Sequence, residues 1–386
     1  MAVTLDIVSI ESLLGDEERA VRDRIRAFVD QRVLPRAQED WELGRFPADL
    51  LPGLGELGVV GGHLRGYGCA GWNSVAYGLA LAEIARGSAS VATTVHVQSG
   101  LAMTAISLHG SDEQKERWLP PMARFEAVGA FAATEPTAGS DLGSLSTTAV
   151  REGDDYVLNG HKRWIGHGTV CDVAVVWARD DDGRVAAFLV ERGTPGYEPE
   201  RIDGKGSQRA VWQADIRIRD CRVPAANRLP GARGLGSALQ VLTHSRFGVA
   251  WDALGQAADC YELALAHVGE RRQFGAPLAS RQLVQQKLVF MATELALAWA
   301  LTIHLGRLKD EGRATPAAIS MLKMNNTAKA RTIAAMARDL LGGDGILLGR
   351  RVMTHMADLE GPFTYEGPHD VNMLIVGEAI TGERAY

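Results

Sequence analysis

Four cysteines in 386 residues are too few and too scattered for a disulfide framework. Cys69, Cys171, Cys221 and Cys260 form no CxxC pair and no Cys/His ligand spacing. That excludes a zinc module and suggests reduced thiols and a cytoplasmic protein. No basic block is present and the formal net charge is −6, which argues against a nucleic-acid binder. Met1 to Glu11 lack a basic stretch followed by a long apolar run, so no secretory signal is expected. The longest apolar stretch, Leu288 to Leu305, carries Glu294 and His304. It reads as a buried bundle helix and not as a membrane span. Repeats, low-complexity tracts and alternating βα units are also missing, and the last of these argues against a Rossmann domain.

What is present is enough apolar sequence, 46%, to bury a large core in two or three domains. Val21, Ile25, Phe28, Val29 and Val33 form a helical stripe, with Asp16 as a candidate cap and Pro35 as its end. Further helical stretches run to about residue 124, broken by turns such as Gly66-Tyr67-Gly68-Cys69-Ala70-Gly71. Between about 131 and 223 the period becomes two. Asn159-Gly160 after Tyr156-Val157-Leu158 reads as a hairpin turn. Val173 to Trp177 and Val185 to Val190 read as strands around the turn at 180–183. From about 235 the chain is helical again, over roughly 236–270, 279–311 and 315–341, with a last helix after Gly367.

Four segments carry chemistry. Thr364-Tyr365-Glu366-Gly367-Pro368-His369-Asp370 places a carboxylate on a glycine-bearing turn between helices. Such a group suits a general base for a weakly acidic C–H, although a glutamate near a helix start is also favoured simply by the helix dipole. Phe131 to Asp141 is rich in small residues and turn formers, so its backbone N–H groups can face a planar or anionic ligand. Trp164, after Lys162-Arg163, can cover one face of an aromatic cofactor. Leu341-Gly342-Gly343-Asp344-Gly345 ends a helix with glycines that permit close approach to a phosphate. Taken one at a time, each of the last three segments is more often plain structure: a loop, a buried tryptophan, a helix C-cap.

In this order the segments resemble the acyl-CoA dehydrogenases over essentially the whole chain, and within them the glutaryl-CoA dehydrogenases. The resemblance rests on Gly66 to Gly71, Ser74 to Leu79, Thr134-Glu135-Pro136 with Gly139-Ser140-Asp141, and Trp164-Ile165. It continues through Arg271-Arg272-Gln273-Phe274-Gly275, Gly306 to Asp310, Leu341-Gly342-Gly343 and Thr364 to Gly367. It implies an α+β, mainly α fold: an N-terminal helical domain (1–130), a middle β-barrel-like domain (131–233) and a C-terminal four-helix bundle (234–386). It also implies FAD, a homotetramer in which a neighbour completes the flavin site, and an acceptor such as electron-transfer flavoprotein.

Carried onto this chain, the resemblance implies that Phe131, Ala133, Thr134, Gly139 and Ser140 line the flavin or acyl-thioester groove. Trp164 and Gly166 would lie against the isoalloxazine. Arg271, Phe274, Asp339 and Gly343 would reach the FAD of a neighbouring subunit. Glu366 would take the proton beside the thioester carbonyl. The family's other base location, on an earlier helix, falls on Ser245, and a serine cannot serve as that base. Ser140, Arg246, Tyr365, Gly367, Ala92 and His96 would border the substrate.

Three departures qualify the subgroup. Ala92 stands where the glutaryl enzymes have a carboxylate-binding arginine, with Ala85 and His96 at the neighbouring partner positions, and Trp72 and His96 are candidates for the pocket floor. Gly166 stands where a threonine or serine commonly bonds flavin N5. An exposed His167 is expected beside it. Pro368 removes an N–H donor. The sequence is therefore read as a FAD-dependent dehydrogenase of a short or medium acyl thioester without a distal carboxylate. A carrier-protein thioester with a shifted double bond, glutaryl-CoA itself, flavin oxidase or monooxygenase chemistry, and a non-catalytic scaffold are the alternatives.

Overall fold

Residues 6–385 are described by the computed structural model. The reading of Met1 to Glu11 rests partly on residues 1–5, which lie outside the described residues, as does Tyr386. The N-terminal part is helical: α1 (Asp16–Phe28), α2 (Ala37–Leu43), α3 (Leu51–Glu56), α4 (Ser74–Gly87), α5 (Ala89–His96), α6 (Thr104–His109) and α7 (Asp112–Ala123). The stripe of α1 is buried through Val21 and Ile25 and continues through Val29 and Val33 in a π-helical turn. Gly15, not Asp16, is the N-cap. Its N–H donates to Glu18 Oε2 at 2.8 Å, and Asp16 takes the first helical position. Helix α4 is wholly buried, with its Glu83 and Arg86 paired to each other, and Asn73 caps it by accepting the Ala76 N–H at 2.8 Å.

A seven-stranded sheet follows: β1 (Gly129–Ala132), β2 (Thr148–Glu152), β3 (Asp155–Gly166), β4 (Val173–Arg179), β5 (Val185–Glu191), β6 (Tyr197–Arg201) and β7 (Gln213–Pro224). The order is β1-β4-β2-β3-β7-β6, with β5 also pairing with β4. Strand alternation gives the sheet two apolar faces. Val173, Val175 and Trp177 of β4 join the main core shared with the helices, while Ala174, Val176 and Ala178 join a second core inside the curled sheet. The expected hairpin at Asn159-Gly160 is not there. The β2–β3 turn is at Gly153-Asp154, and Asn159 sits within β3 at a register shift opposite β7. Its side chain exchanges hydrogen bonds with Asp220, and a Cβ on Gly160 would lie 2.2 Å from Thr147 Oγ1. An Asn-Gly pair serves a bulge as well as a turn, since both need a residue without a bulky Cβ.

Three long helices, α8 (Leu235–Glu270), α9 (Gln282–Asp310) and α10 (Pro316–Leu340), form the C-terminal part with α11 (Val352–Asp358), α12 (Glu360–Thr364) and α13 (His369–Thr381). The short strands β8 (Arg272–Gln273) and β9 (Ala276–Pro277) join α8 to α9. Helices α4 and α8 cross closely: Cβ atoms on Gly78 and Gly255 would lie 2.1 Å from the Trp251 ring and 1.9 Å from the Ala82 carbonyl. This crossing brings the end of α5 beside the middle of α8. Among the described residues one helix, α9, is long and apolar enough by length and composition to cross a membrane, and it packs against α8 and α10.

Candidate active site

The turn between α12 and α13 is held rigidly from below. Glu366 is left-handed (φ 54°), unusual for a residue with a side chain, and Gly367 follows at φ 85°. Arg246 Nε donates to the Glu366 carbonyl at 2.9 Å while its Nη1 donates to Ser320 Oγ at 2.9 Å. Lys323 Nζ donates to the carbonyls of Tyr365 (2.9 Å) and Gly367 (2.7 Å), and Asn372 Nδ2 donates to Gly367 O at 2.6 Å. Burial pushes the Lys323 ammonium down to about 7, with the Glu366 charge opposing the shift and Arg246 adding to it. Arg246, assigned to the substrate by resemblance, directs its guanidinium at this turn.

The Glu366 side chain is 7% exposed. Its Oε1 accepts from Ser245 Oγ at 2.7 Å and lies 3.2 Å from His96 Nε2, and Ser245 Oγ lies 2.6 Å from the same nitrogen. Glu366 Oε2 has no partner in the protein. His96 is the last residue of α5, just before a π-helical turn over Val97–Met103. Tyr365 and Gly367 flank the carboxylate. Ala92 is fully buried one turn earlier on α5 and offers no polar group. Trp72 instead packs on Gly58 and Gly62 beneath Arg24.

The loop from Thr134 to Ser140 is anchored by a buried ion pair. Glu135 accepts from the N–H and hydroxyl of both Ser146 and Thr147 and pairs with Lys162 at 2.9 Å. Lys162 Nζ also donates to Ala133 O at 3.0 Å, and the Arg163 N–H donates to Thr134 O at 2.9 Å. Burial alone would raise the Glu135 carboxyl, but the Lys162 charge and these bonds outweigh it and hold it at about 2. For Lys162, burial wins over the Glu135 charge and brings the ammonium to about 8. Both values fall, which favours the charged carboxylate but disfavours the ammonium, because the lysine is the more deeply buried partner and has fewer bonds; both groups are charged at neutral pH.

The same anchor holds one end of the Trp164 bulge. Trp164 is left-handed (φ 63°) where β3 slips register against β7, and its indole is 53% exposed with the Arg163 guanidinium 5.3 Å from its centroid. Phe131 faces inward, its ring 5.7 Å from Trp177, and Ala133 is buried, while Gly139 and Ser140 are not grouped with it: Gly139 meets no neighbour within reach of a Cβ, and Ser140 is exposed. His167 is not the exposed loop residue expected. It is fully buried, bonded through Nδ1 to Gly129 O at 3.0 Å and edge-on to Phe46. Burial pushes it down to about 4, with the Gly129 bond opposing, so it braces β1 as a neutral imidazole.

Gly166 faces Val97, whose Cγ2 would lie 2.7 Å from any Cβ there. Gly166→Thr should therefore lose about 1–3 kcal/mol through overpacking. Val97→Ala should restore part of that loss in the double variant, as read by thermal melting. Equal melting temperatures for Gly166→Thr and wild type would refute the clash.

Arg271, Phe274, Asp339 and Gly343 stand on the outer surface of the bundle and its connecting loops. Phe274 is left-handed (φ 50°) and 95% exposed, and a Cβ on Gly343 would meet nothing within 4 Å. The structure thus brings together Glu366, Tyr365, Gly367, Arg246, Ser245 and His96. It keeps the four outer residues apart from them on this chain's own surface. Sequence reading missed Lys323, Asn372 and Asp252, and passed over the Glu135–Lys162 pair inside two segments it had singled out. The only local signals for the first two were a lysine and an asparagine within helical stretches, the lysine beside Ser320, Asn326 and Thr327 on the same face.

Three domain descriptions match the chain in order: acyl-CoA dehydrogenase N-terminal domain over residues 15–126, middle domain over 130–221 and C-terminal domain over 232–381. The chain is 34% identical over 373 residues to the short-chain specific acyl-CoA dehydrogenase, mitochondrial, of Rattus norvegicus, covering 94% of this chain and 90% of the relative. It is similar to a crystal structure of glutaryl-CoA dehydrogenase from Mycobacterium smegmatis (TM-score 0.97, 45% identity, 99% of this chain and 98% of the other). A second glutaryl-CoA dehydrogenase structure from that organism, in complex with FADH2, matches with TM-score 0.98 and 42% identity, covering 99% of each chain.

Proposed function

The chain belongs to the acyl-CoA dehydrogenase family, and we propose that it introduces a double bond next to the carbonyl of a short, uncharged acyl-CoA with Glu366 as the base. The observation that carries this reading is the Glu366 carboxylate itself, with Oε1 held by Ser245 and Oε2 left open in a nearly water-free position. A base with one oxygen fixed and one available can take a proton in a defined direction. Arg246, Lys323 and Asn372 keep the turn from moving as the charge on that carboxylate changes.

The residues present fit FAD. An exposed indole with a guanidinium beside it suits a flat ring system. Open glycines at Gly139 and Gly343 leave backbone room for a pyrophosphate. Phe131, Ala133, Thr134, Ser140, Trp164 and Gly166 would hold the cofactor from this chain. Arg271, Phe274, Asp339 and Gly343 would hold that of a neighbouring copy. When bound, FAD supplies the hydride acceptor for the carbon beyond the one Glu366 deprotonates. Assembly as a homotetramer is supported by exposed Leu283, Val289 and Leu297 along α9 and Met321 on α10, apolar surface that a second copy would cover. The division into units over residues 1–130, 131–233 and 234–386 is supported at its second boundary by the start of α8 at Leu235, while its first boundary falls within β1. Electron-transfer flavoprotein is the proposed acceptor.

Substrate choice follows from Ala92. A second carboxylate buried without its counter-ion loses several kcal/mol. Arg86 cannot replace the missing arginine, because Glu83 and Asp30 already engage it. Butyryl-CoA should therefore bleach the flavin under anaerobic conditions at least ~100-fold more efficiently than glutaryl-CoA, with no carbon dioxide released from the latter. Comparable efficiency with decarboxylation would overturn the assignment and shift attention to Lys309, which lines a small cavity with His63, His96 and Ser245.

A further inference from the structure

Beneath the carboxylate lies a second layer of polar groups that proton abstraction by Glu366 alone does not require. Asp252 of α8 is 2% exposed, and neither of its carboxylate oxygens has a hydrogen-bond partner in the protein. Its Oδ2 lies 3.9 Å from Nδ1 of His96, which also has no hydrogen bond. The other ring nitrogen, Nε2, meets Ser245 Oγ and Glu366 Oε1. The imidazole is thus sandwiched between two carboxylates, with a serine hydroxyl bridging to the upper one. It is seated by glycines: a Cβ on Gly248 would lie 2.6 Å from its Cε1, and one on Gly100 would lie 3.4 Å from Nε2. A side chain at Gly248 would push the ring out of line, and one at Gly100 would crowd Ser245 Oγ at 3.1 Å.

We infer that His96 is a positioning residue for the base: with Asp252 behind it, it presents Nε2–H to Ser245 and Glu366 Oε1, fixing that oxygen and leaving Oε2 to receive the substrate proton. The inference rests on the reading of Glu366 as the base. The donor assignment follows from the acceptors. Glu366 Oε1 can only accept while ionised, so Ser245 donates to it, and the short contact to Ser245 Oγ is then made by a hydrogen on Nε2.

Charge supports the same arrangement. Burial disfavours a charged imidazole, but the Glu366 and Asp252 carboxylates outweigh it and raise the His96 value. Burial brings Asp252 up to about 7, opposed by His96 and reinforced by Glu366. The pair therefore holds a proton near neutrality, and whichever partner carries it, Nε2 keeps its hydrogen. The remaining groups near this cluster are weaker influences on it. His63, before α4, is pushed by burial to about 3 and His244 of α8 to about 4, so both are neutral. Tyr77 and Tyr365 are raised by burial and stay neutral. The cations on the far sides are Arg246, Lys309 and Lys323.

The test is the pH dependence of anaerobic flavin bleaching by butyryl-CoA in the FAD-loaded protein. Removing a cation beside a carboxylate makes that carboxylate easier to protonate. His96→Ala should slow bleaching about 10- to 100-fold and move the acid limb to higher pH by about one unit. His96→Gln retains an N–H donor but no titratable charge. It should recover most of the rate at high pH while its acid limb stays displaced. Asp252→Asn, nearly isosteric, withdraws the carboxylate that raises the His96 value; through the less charged ring it should displace the limb in the same direction, against the smaller direct effect of removing a negative charge on the far side of that ring from Glu366. FAD content and melting temperature report whether each variant is folded, and His96→Gln and Asp252→Asn suffice if His96→Ala is not. A uniform loss of rate with an unmoved acid limb in all folded variants would overturn the inference. Glu366→Gln separates the two claims. If it still bleaches, the base assignment fails; if it does not bleach and the limbs are unmoved, only the role of His96 fails.

Discussion

Glu366→Gln should keep its fold and its FAD yet lose turnover by ~10²–10⁴-fold, the usual effect of removing a positioned base. The amide is nearly isosteric, and its oxygen can still accept from Ser245 where Oε1 now does at 2.7 Å. The backbone clamps from Arg246, Lys323 and Asn372 are unaffected, because they hold carbonyls and not the side chain. What is lost is proton affinity at the Oε2 position, so the defect should lie in the rate of flavin bleaching and much less in binding of the thioester. Stopped-flow bleaching at saturating butyryl-CoA checks this directly. A rate within about threefold of wild type would remove Glu366 from the reaction, since a group acting only in the transition state must show its loss in the maximal rate. Ser245→Ala is a useful companion. It removes the hydroxyl bridging Oε1 to His96 and should cost less than Glu366→Gln, as a positioning contact does.

The parts of this site that can be read from sequence are those whose signals are local. The helical stripe of α1, the strands around the turn at 180–183 and the long bundle helices show in periodicity, because burial of one face imposes it. Glu366 is visible as a carboxylate on a glycine-bearing turn. Its surroundings are not, because they are assembled from distant chain positions: Ser245 is 121 residues from Glu366 and 149 from His96. Asp252 looks like one polar residue in an apolar helix until the α4–α8 crossing puts His96 beside it. Asn159-Gly160 misleads for a different reason. The dipeptide suits a hairpin turn through its backbone freedom, but here the glycine serves the register shift inside β3 by leaving room for Thr147, with no left-handed residue at either position. His167 misleads because a flanking glycine suggests an open loop, whereas β1 supplies a carbonyl for its ring. Gly166 shows the limit of carrying roles across a resemblance, since the space for a larger side chain there is filled by Val97.

Glu135→Ala should be the most destabilising single change in the Thr134 to Ser140 loop, at about 3–5 kcal/mol, the range for breaking a buried ion pair from one side. The carboxylate is the shared acceptor for four donors from Ser146 and Thr147 and for the Lys162 ammonium. Removing it leaves Lys162, which is fully buried, with only the Ala133 carbonyl. The Thr134 to Ser140 loop then loses its bonds to Ser146 and Thr147, just ahead of β2, and its ion pair to β3, keeping the Arg163 N–H bond to Thr134 O, so the variant should also release FAD more readily than wild type. Lys162→Met in the same background removes the orphaned charge and should recover a sizeable part of the stability without recovering the loop's hydrogen bonds. Melting temperature and retained flavin absorbance after gel filtration therefore separate the two contributions. Acid should act in the same sense. Glu135 is held at about 2, below an ordinary carboxyl, so its contribution is complete above the unfolded value near 4.5 and disappears as pH falls through about 2. Wild type should lose stability across that window more steeply than Glu135→Ala, which has no such carboxylate to protonate. Parallel acid-unfolding curves for the two proteins, or a double variant no more stable than Glu135→Ala, would show that the pair is not what fastens the loop.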